Sequence, residues 1–112
     1  GPAVGEAKRE RWSTIPGWLV VTSALSSEDS ELEKEDYAAC CCAIQNLSLY
    51  LWSVGIGVKW TTGAVTRHPE FYRILNIDPV ERQTVGVLWY GYAANVAQQK
   101  RQPVEEILTR LP

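Results

Sequence analysis

The sequence has no methionine and a single histidine, His68, among its 112 residues. Because a natural reading frame begins with Met, a chain that starts Gly1-Pro2 is expected to be a piece of a longer protein, or to have lost its initiator. A lone His followed by Pro is more typical of a helix cap than of a catalytic base. No Ser or Cys has a nearby His to activate it, and no glycine-rich phosphate loop is present. The residue spacing by itself therefore supports no reaction.

The composition also has little net charge, which is formally -2. Such a chain offers no general electrostatic attraction to nucleic acid, so no nucleic-acid partner is expected. Hydrophobic residues make up 46% of the chain, which is enough for a core. The length suits one domain over residues 1–112. Five Trp and five Tyr are many for this length, and such residues tend to line cores, interfaces or flat ligands.

The three cysteines are consecutive, Cys40-Cys41-Cys42. Successive helical residues point about 100° apart, so these thiols cannot converge on one metal, and no metal site is expected. Neighbouring cysteines also make poor disulfides, and small buried residues on a packed helix are the favoured interpretation. An odd number of unpaired cysteines fits a reducing compartment, so a cytoplasmic location is predicted.

No charged residue occurs between Asp36 and Lys59. A membrane-spanning helix needs about 20 apolar residues, which makes a span over Tyr37 to Val58 one hypothesis. Against it, Gln45 and Asn46 in mid-span would be costly in lipid, so no membrane association is the favoured prediction. The alternative is a helix buried nearly all round, which a domain this small can hardly enclose alone. A partner subunit, or a missing part of the same chain, should then cover it.

The remaining pattern predicts alternating strands and helices. A short strand at Trp18 to Val21, buried on both faces, precedes an acidic loop, "SSEDSELEKED". A long helix from about Asp36 to Val54, capped by Gly55, leads to a strand, "GVKWTT", that ends at Gly63. Next come a short helix with His68 as its N-cap, a central strand "TVGVLWYGYA" and a final helix "PVEEILTRL". This order predicts an α+β or three-layer α/β/α arrangement.

Three short segments in this pattern have groups that could bind a ligand. At Trp60-Thr61-Thr62-Gly63 a strand ends, and its free main-chain amides could hydrogen-bond the edge of a flat polar ring; an ordinary turn is the alternative. Lys100-Arg101 could hold a phosphate, or form a solvated pair of charges. Gly91-Tyr92 ends the last strand, where turn chemistry is an equal explanation.

These places occur in an order that resembles the FMN-dependent nitroreductase family. The segment "EDYAACCCAIQNLSLYLWSVGIGVKWTTGAVTRHPEFYRILNI" is similar to the family's A-x-Q-N helix, its G-[IL]-G-x-x-W-x-T-G strand and turn, and its P-E helix. "TVGVLWYGYA" resembles the last core strand, and "KRQPVEEIL" resembles the tail. The resemblance covers roughly Trp18 to Leu111.

This resemblance implies an incomplete nitroreductase-like α+β fold with a long buried central helix, and a homodimer. It also implies FMN reduced by NAD(P)H and reoxidised by a small-molecule electron acceptor such as a nitro compound or quinone. By the same match the turn at Thr62-Gly63, within Trp60 to Gly63, would lie against the flavin ring. Arg101, and less directly Lys100, would contact the FMN phosphate.

The family's Arg-rich "R-R-S-x-R" segment has no counterpart here, since Arg11-Trp12-Ser13 is isolated. The resemblance therefore implies the C-terminal part of a nitroreductase-like domain, with an incomplete flavin site. Three functions remain open: an FMN-dependent oxidoreductase, a non-catalytic dimerising or interaction relative that has lost flavin, and a small membrane-associated protein.

Overall fold

The computed structural model describes residues 1–112 and contains three α-helices and three β-strands. The elements, in chain order, are α1 (Pro2–Ser13), β1 (Gly17–Ala24), α2 (Ser30–Ser53), β2 (Gly57–Thr61), a 3₁₀ turn (Ala64–Arg67), α3 (Pro69–Ile74), β3 (Arg82–Gly91) and a second 3₁₀ turn (Val104–Glu106).

The three strands form one antiparallel sheet in the order β1-β3-β2. The predicted central strand is thus confirmed as β3, which pairs with β1 from Gly17 to Ala24 and with β2 from Gly57 to Thr61. Since β1 and β2 run parallel to each other with β3 between them, β1-α2-β2 is a split crossover unit. The prediction that β1 is buried on both faces is wrong, because Trp18 and Leu19, which point to opposite faces, are 44% and 42% exposed.

Helices and turns cover both faces of this sheet, which gives the expected three-layer α+β architecture. On one face, Ile44 of α2 packs against Val85 and Leu88 of β3 to form the buried core. Trp18 pairs with Trp89, and the next pair along these strands is Leu19 with Leu88. Because successive residues of a strand point to opposite faces and Leu88 faces α2, Trp18 and Trp89 lie on the other face.

The layer on that opposite face comes from α1, the 3₁₀ turn after β2, and α3. Trp12 of α1 packs against Trp18 and Trp89, with ring centroids 6.2 and 6.1 Å away. In α3, Tyr72 extends to the sheet, and its hydroxyl oxygen accepts a hydrogen bond of 2.9 Å from the amide of Thr84. The second layer is therefore tied to β3 by both packing and hydrogen bonding.

Helix α2 begins earlier than the sequence pattern predicts. Asp29 is its N-cap and accepts a hydrogen bond of 3.0 Å from the amide of Leu32, while Glu31 and Glu33 occupy the first turn. Cap and charge both stabilise the positive end of the helix dipole. The second half of the acidic segment, predicted as a loop, is therefore helical.

The end of α2 confirms the predicted glycine cap. Gly55 has φ +87°, and its amide donates to the carbonyl of Trp52 at 3.0 Å. The amide of Ile56 donates to the carbonyl of Leu51 at 2.8 Å, which completes a Schellman motif. His68 is likewise confirmed as the N-cap of α3, since its Nδ1 accepts from the amide of Glu70 at 3.1 Å.

Only one side of α2 is covered in this chain. Ile44 is its single buried residue, and Cys40 and Cys41 are half-buried against the core while Cys42 is exposed. On the other side, four large apolar side chains of the uncharged stretch after Asp36 are more than half exposed; they are Leu49, Tyr50, Trp52 and Val54. That another polypeptide or chain segment covers this side stays a prediction.

The C-terminal segment departs most from expectation. The predicted final helix is wrong, because only Val104–Glu106 form a single 3₁₀ turn. All residues from Tyr92 to Pro112 are exposed. The radius of gyration is 17.5 Å, against about 13 Å for a compact chain of this length. The segment therefore projects as an arm, called the C-terminal arm below.

The chain exposes more surface than a compact monomer of its mass. Its accessible surface is 9224 Å², whereas a typical folded monomer of this mass exposes roughly 6,200 Å². Only eight of the 112 residues are buried. Obligate interfaces bury about 2,000–5,000 Å² or more summed over both partners, so an excess of about 3,000 Å² on one chain is large enough for one partner's share of such an interface.

A substitution at Gly86 on β3 tests how tightly the sheet is packed against Trp60. A β-carbon there would collide with the indole of Trp60, whose Nε1 donates to the carbonyl of Val85 at 3.2 Å. Gly86→Ala should therefore lower the free energy of unfolding by roughly 1–3 kcal/mol, measured by urea denaturation. Gly63→Ala is the matched control, because nothing lies within 4 Å of its β-carbon position. Equal stability of the two variants would contradict this packing.

Candidate functional site

The candidate site is the turn that follows β2, at Thr62 and Gly63. Thr61 still belongs to the sheet, where it pairs with Val87 and donates its hydroxyl hydrogen to the Val87 carbonyl at 2.8 Å. Beyond it, the main-chain amides of Thr62 and Gly63 donate no hydrogen bond within the chain. Both residues are exposed, so in this chain these amides face solvent and are accessible to a bound acceptor.

The carbonyl groups of the same turn are held within the chain. The Gly63 carbonyl accepts from the Thr66 amide at 3.0 Å and from the Thr66 hydroxyl at 2.8 Å. The Thr62 carbonyl accepts from Nη1 of Arg67 at 2.8 Å. Thr66 is buried, so its two bonds anchor the turn to the fold. The two main-chain carbonyls of the turn are thus held by hydrogen bonds within the chain, while its two main-chain amides are not.

Nothing within this chain requires glycine at position 63. Its φ of -58° is open to any residue, and its missing β-carbon would meet no heavy atom within 4 Å. A side chain there would instead occupy the space next to the free amides. The bare backbone leaves room for a flat group to approach those amides closely.

Trp60 has a structural role in this arrangement. By alternation its side chain lies on the sheet face opposite to Thr61, the face that carries Val58 and α2. Its indole covers Gly86 and donates to the Val85 carbonyl. Of the four predicted contact residues at this turn, Trp60 is therefore placed for packing, while Thr61, Thr62 and Gly63 lie on or beside the candidate site.

An apolar cavity of about 210 Å³ adjoins the turn. Part of its wall is an aromatic cluster in which the rings of Trp18 and Trp89 are 5.3 Å apart, and Nζ of Lys59 lies 5.2 Å from the Trp89 ring centroid. The lining residues are Trp12, Trp18, Thr61, Gly63, Val65, Thr66, Phe71, Val87 and Trp89. Sequence reasoning missed this cavity, because α1, β1 and β3 contribute to it; the high Trp count was its only signal.

Shifted pKa values occur at groups that make no hydrogen bond to the turn. Hydrogen bonds from Arg73 lower the pKa of the Glu70 carboxyl, and this pair lies on the surface of α3. Burial, together with the neighbouring thiols of Cys40 and Cys42, raises the pKa of Cys41. The chemistry available at the turn is therefore that of neutral main-chain donors rather than of a tuned acid or base.

Lys100 and Arg101, the predicted phosphate contacts, lie in the C-terminal arm. Both are exposed, and neither makes a hydrogen bond or ion pair within the chain. The structure does not join them to the turn at Thr62 and Gly63. At the third predicted place, Gly91 ends β3 opposite Gly57, and Tyr92 is 83% exposed at the start of the arm.

The structure contains neither a cluster of metal-ligating side chains nor a helix that could span a membrane. No group of three or more His, Cys, Asp or Glu side chains is arranged to hold a metal ion. None of the helices is both long enough and apolar enough to cross a membrane.

Comparison with known proteins places this geometry in a family. Residues 3–92 match the model of the Nitroreductase family. A protein of Bacillus subtilis (strain 168) named "Putative NAD(P)H nitroreductase YfhC" is 29% identical over 98 residues, which are 87% of this chain and 50% of that protein. The chain thus spans half the length of this relative.

Solved structures have the same fold. A nitroreductase-like family protein from Bacillus cereus superposes with a TM-score of 0.82 and 29% identity, over 96% of this chain and 57% of that one. A structure from Desulfovibrio desulfuricans, described as a "putative nitroreductase in complex with fmn", gives a TM-score of 0.69 at 23% identity, over 85% and 54% of the two chains. Because the family model covers most of its residues, this chain belongs to the nitroreductase family.

Proposed function

We propose that this chain is part of an FMN-dependent NAD(P)H oxidoreductase of the nitroreductase type. The observation that carries the proposal is the pair of unpaired amides at Thr62 and Gly63, on a turn fixed through its carbonyls. Two relatives suggest the cofactor and the electron donor. The Desulfovibrio desulfuricans protein is described as a complex with FMN, and the Bacillus subtilis relative is named as an NAD(P)H nitroreductase.

The turn fits the polar edge of a flavin ring. That edge carries acceptor atoms, and two adjacent amide donors with no competing acceptor in the chain would meet them. When bound, FMN supplies the hydride and electron chemistry, and the protein supplies position and electrostatics. The amides of Thr62 and Gly63 would stabilise negative charge on the ring, because fixed donors need no reorganisation when the charge develops. This role explains a site without a catalytic acid or base.

The phosphate of FMN is assigned to Arg101 and Lys100. A guanidinium offers paired donors that match phosphate oxygens, and an ammonium adds a point charge. Both side chains are exposed and unpaired in the arm, so they are available to a ligand. Reaching one flavin together with the turn requires the arm to pack against a protein surface. We assign that packing to the homodimer.

The surface that this chain leaves open supports the proposed homodimer. The uncharged outer side of α2 and the apolar side chains of the arm contribute to the excess of about 3,000 Å² over a compact monomer. In the arm, Val104, Ile107 and Leu111 are 60%, 68% and 85% exposed. A second copy would cover both regions, because each copy offers the other an apolar helix side and an apolar arm.

The reaction assigned to the complete protein is transfer of electrons from NAD(P)H to a small-molecule acceptor such as a nitro compound or quinone, in the cytoplasm. A non-catalytic dimerising relative is the second candidate. It is favoured by one observation, that Lys100 and Arg101 are not joined to the turn within the chain. Flavin binding separates the two candidates.

The first prediction concerns Gly63, measured in the protein purified from its complete reading frame. Gly63→Ala places a methyl group beside the free amides without touching the chain itself. We expect at least a tenfold rise in the Kd for FMN, measured by quenching of flavin fluorescence, with the free energy of unfolding unchanged to within about 0.5 kcal/mol. Unchanged FMN affinity would remove the turn from the flavin site.

The second prediction concerns the phosphate. Arg101→Ala should weaken FMN binding about tenfold or more, since a hydrogen bond to a charged group contributes roughly 1.5–3 kcal/mol. Riboflavin, which lacks the phosphate, should bind the variant and the parent protein equally. Arg110→Ala, also in the exposed arm, is the control and should leave FMN binding unchanged. Equal losses in the two variants would contradict the assignment.

The third prediction concerns assembly. Tyr50→Lys places a charge on the outer side of α2, where Tyr50 is 65% exposed in the single chain. Sedimentation velocity should show a dimer for the parent protein and a monomer for this variant. Val80→Lys, at an 81% exposed turn residue, should remain dimeric. A dimer that survives Tyr50→Lys would place the interface elsewhere.

A further inference from the structure

The guanidinium of Arg67 is joined to the same peptide unit that carries the free amide of Gly63. Arg67 is the last residue of the 3₁₀ turn Ala64–Arg67, and its Nη1 donates to the Thr62 carbonyl at 2.8 Å. That carbonyl and the Gly63 N–H belong to one planar peptide group and point in opposite directions. A cation therefore holds the acceptor end of this peptide, while the donor end is left open to a ligand.

No carboxylate neutralises Arg67 within the chain. The nearest acidic residue in the sequence is Glu70, but this side chain forms an ion pair with Arg73, whose Nη2 lies 2.8 Å from its Oε2. This pair is the only one in the structure. The positive charge of Arg67 is therefore directed at the turn and is not cancelled beside it.

The hydrogen bond from Arg67 contributes little to folding. Arg67 and Thr62 are both exposed, so water would serve the guanidinium and the carbonyl nearly as well. Thr66 already fixes the turn, with two hydrogen bonds to the Gly63 carbonyl. The effect of the contact is electrostatic, because a donor bound to a carbonyl polarises the peptide, and a charged donor does so more strongly than a neutral one. The Gly63 amide is affected most, since the Thr62 amide belongs to the preceding peptide.

We propose that Arg67 is a positioning residue that strengthens the Gly63 amide as a donor and thereby favours the reduced state of the flavin. The inference rests on the proposed function, in which this amide meets the polar edge of FMN. Because reduction places negative charge on that edge, a polarised amide with a cation behind it would bind the reduced ring more tightly than the oxidised one. Arg67 would thus help to set the midpoint potential without touching the cofactor.

The experiment measures the two-electron midpoint potential of bound FMN in the protein purified from its complete reading frame, beside Arg67→Gln and Arg67→Lys. This potential reports the ratio of the affinities for reduced and oxidised FMN. Arg67→Gln should lower that ratio roughly three- to tenfold, an effect limited by solvent screening, and so lower the potential by about 15–30 mV. Arg67→Lys keeps the charge, so its potential should stay closer to that of the parent protein. The midpoint of urea unfolding should be the same in all three proteins.

Arg73→Gln is the matched control, because it removes an exposed arginine whose charge is already paired with Glu70, and it should leave the potential unchanged. An unchanged potential in Arg67→Gln, with FMN still bound, would overturn this inference and leave the proposed function intact. An equal decrease in Arg67→Lys or in Arg73→Gln would also overturn it, because the effect would then not come from the charge at this position. A parent protein that binds no FMN would instead remove the proposed function, and this inference with it.

Discussion

The pairing of β3 with two strands at once is the interaction on which the rest of this structure depends. Arg82 to Tyr90 pair with β1 on one side, with a register shift at Val85, and Val87 to Gly91 pair with β2 on the other. Val85 and Leu88 of β3 form the core with α2 on one face, and Trp89 packs in the aromatic cluster on the other. The turn at Thr62 and Gly63 has its place because β2 ends against Val87. Disturbing β3 would therefore disturb the core, the cavity and the candidate site together.

This chain by itself leaves a large apolar surface exposed to solvent. A chain of this length with eight buried residues leaves apolar side chains exposed on α2, on β1 and along the C-terminal arm. These regions differ in kind: a helix side, a strand at the sheet edge and an extended arm.

Local sequence signals predicted local structure well. Gly55 and His68 were identifiable as caps because the positive φ at Gly55 and the Pro after His68 are properties of single positions. The run "TVGVLWYGYA" was identifiable as a central strand because it is apolar on both faces. The Thr62-Gly63 turn was identifiable because a β-rich segment stops at a glycine. The family resemblance rested on these same elements in order.

Features that depend on tertiary context were not predictable. Burial was overestimated at β1, because an apolar run does not reveal how much of each side chain the rest of the chain covers. The acidic segment before Asp36 was assigned to a loop, although its N-cap Asp29 and its acidic first turn favour a helix. The final "PVEEILTRL" has a helical start but makes no contact that would hold a helix in place, and short isolated helices are marginal in water. The aromatic cavity is lined by residues of α1, β1, β2 and the turn after it, α3 and β3, which are far apart in the sequence.

The measurement that tests the central claim most directly is the visible absorption spectrum of the protein purified from its complete reading frame, beside this 112-residue chain, each after addition of FMN and removal of unbound ligand. The account predicts that the complete protein retains FMN and that this chain retains less, because the chain holds only the turn and arm contacts. Absence of retained flavin from both proteins would contradict the oxidoreductase function and leave the dimerising relative in its place.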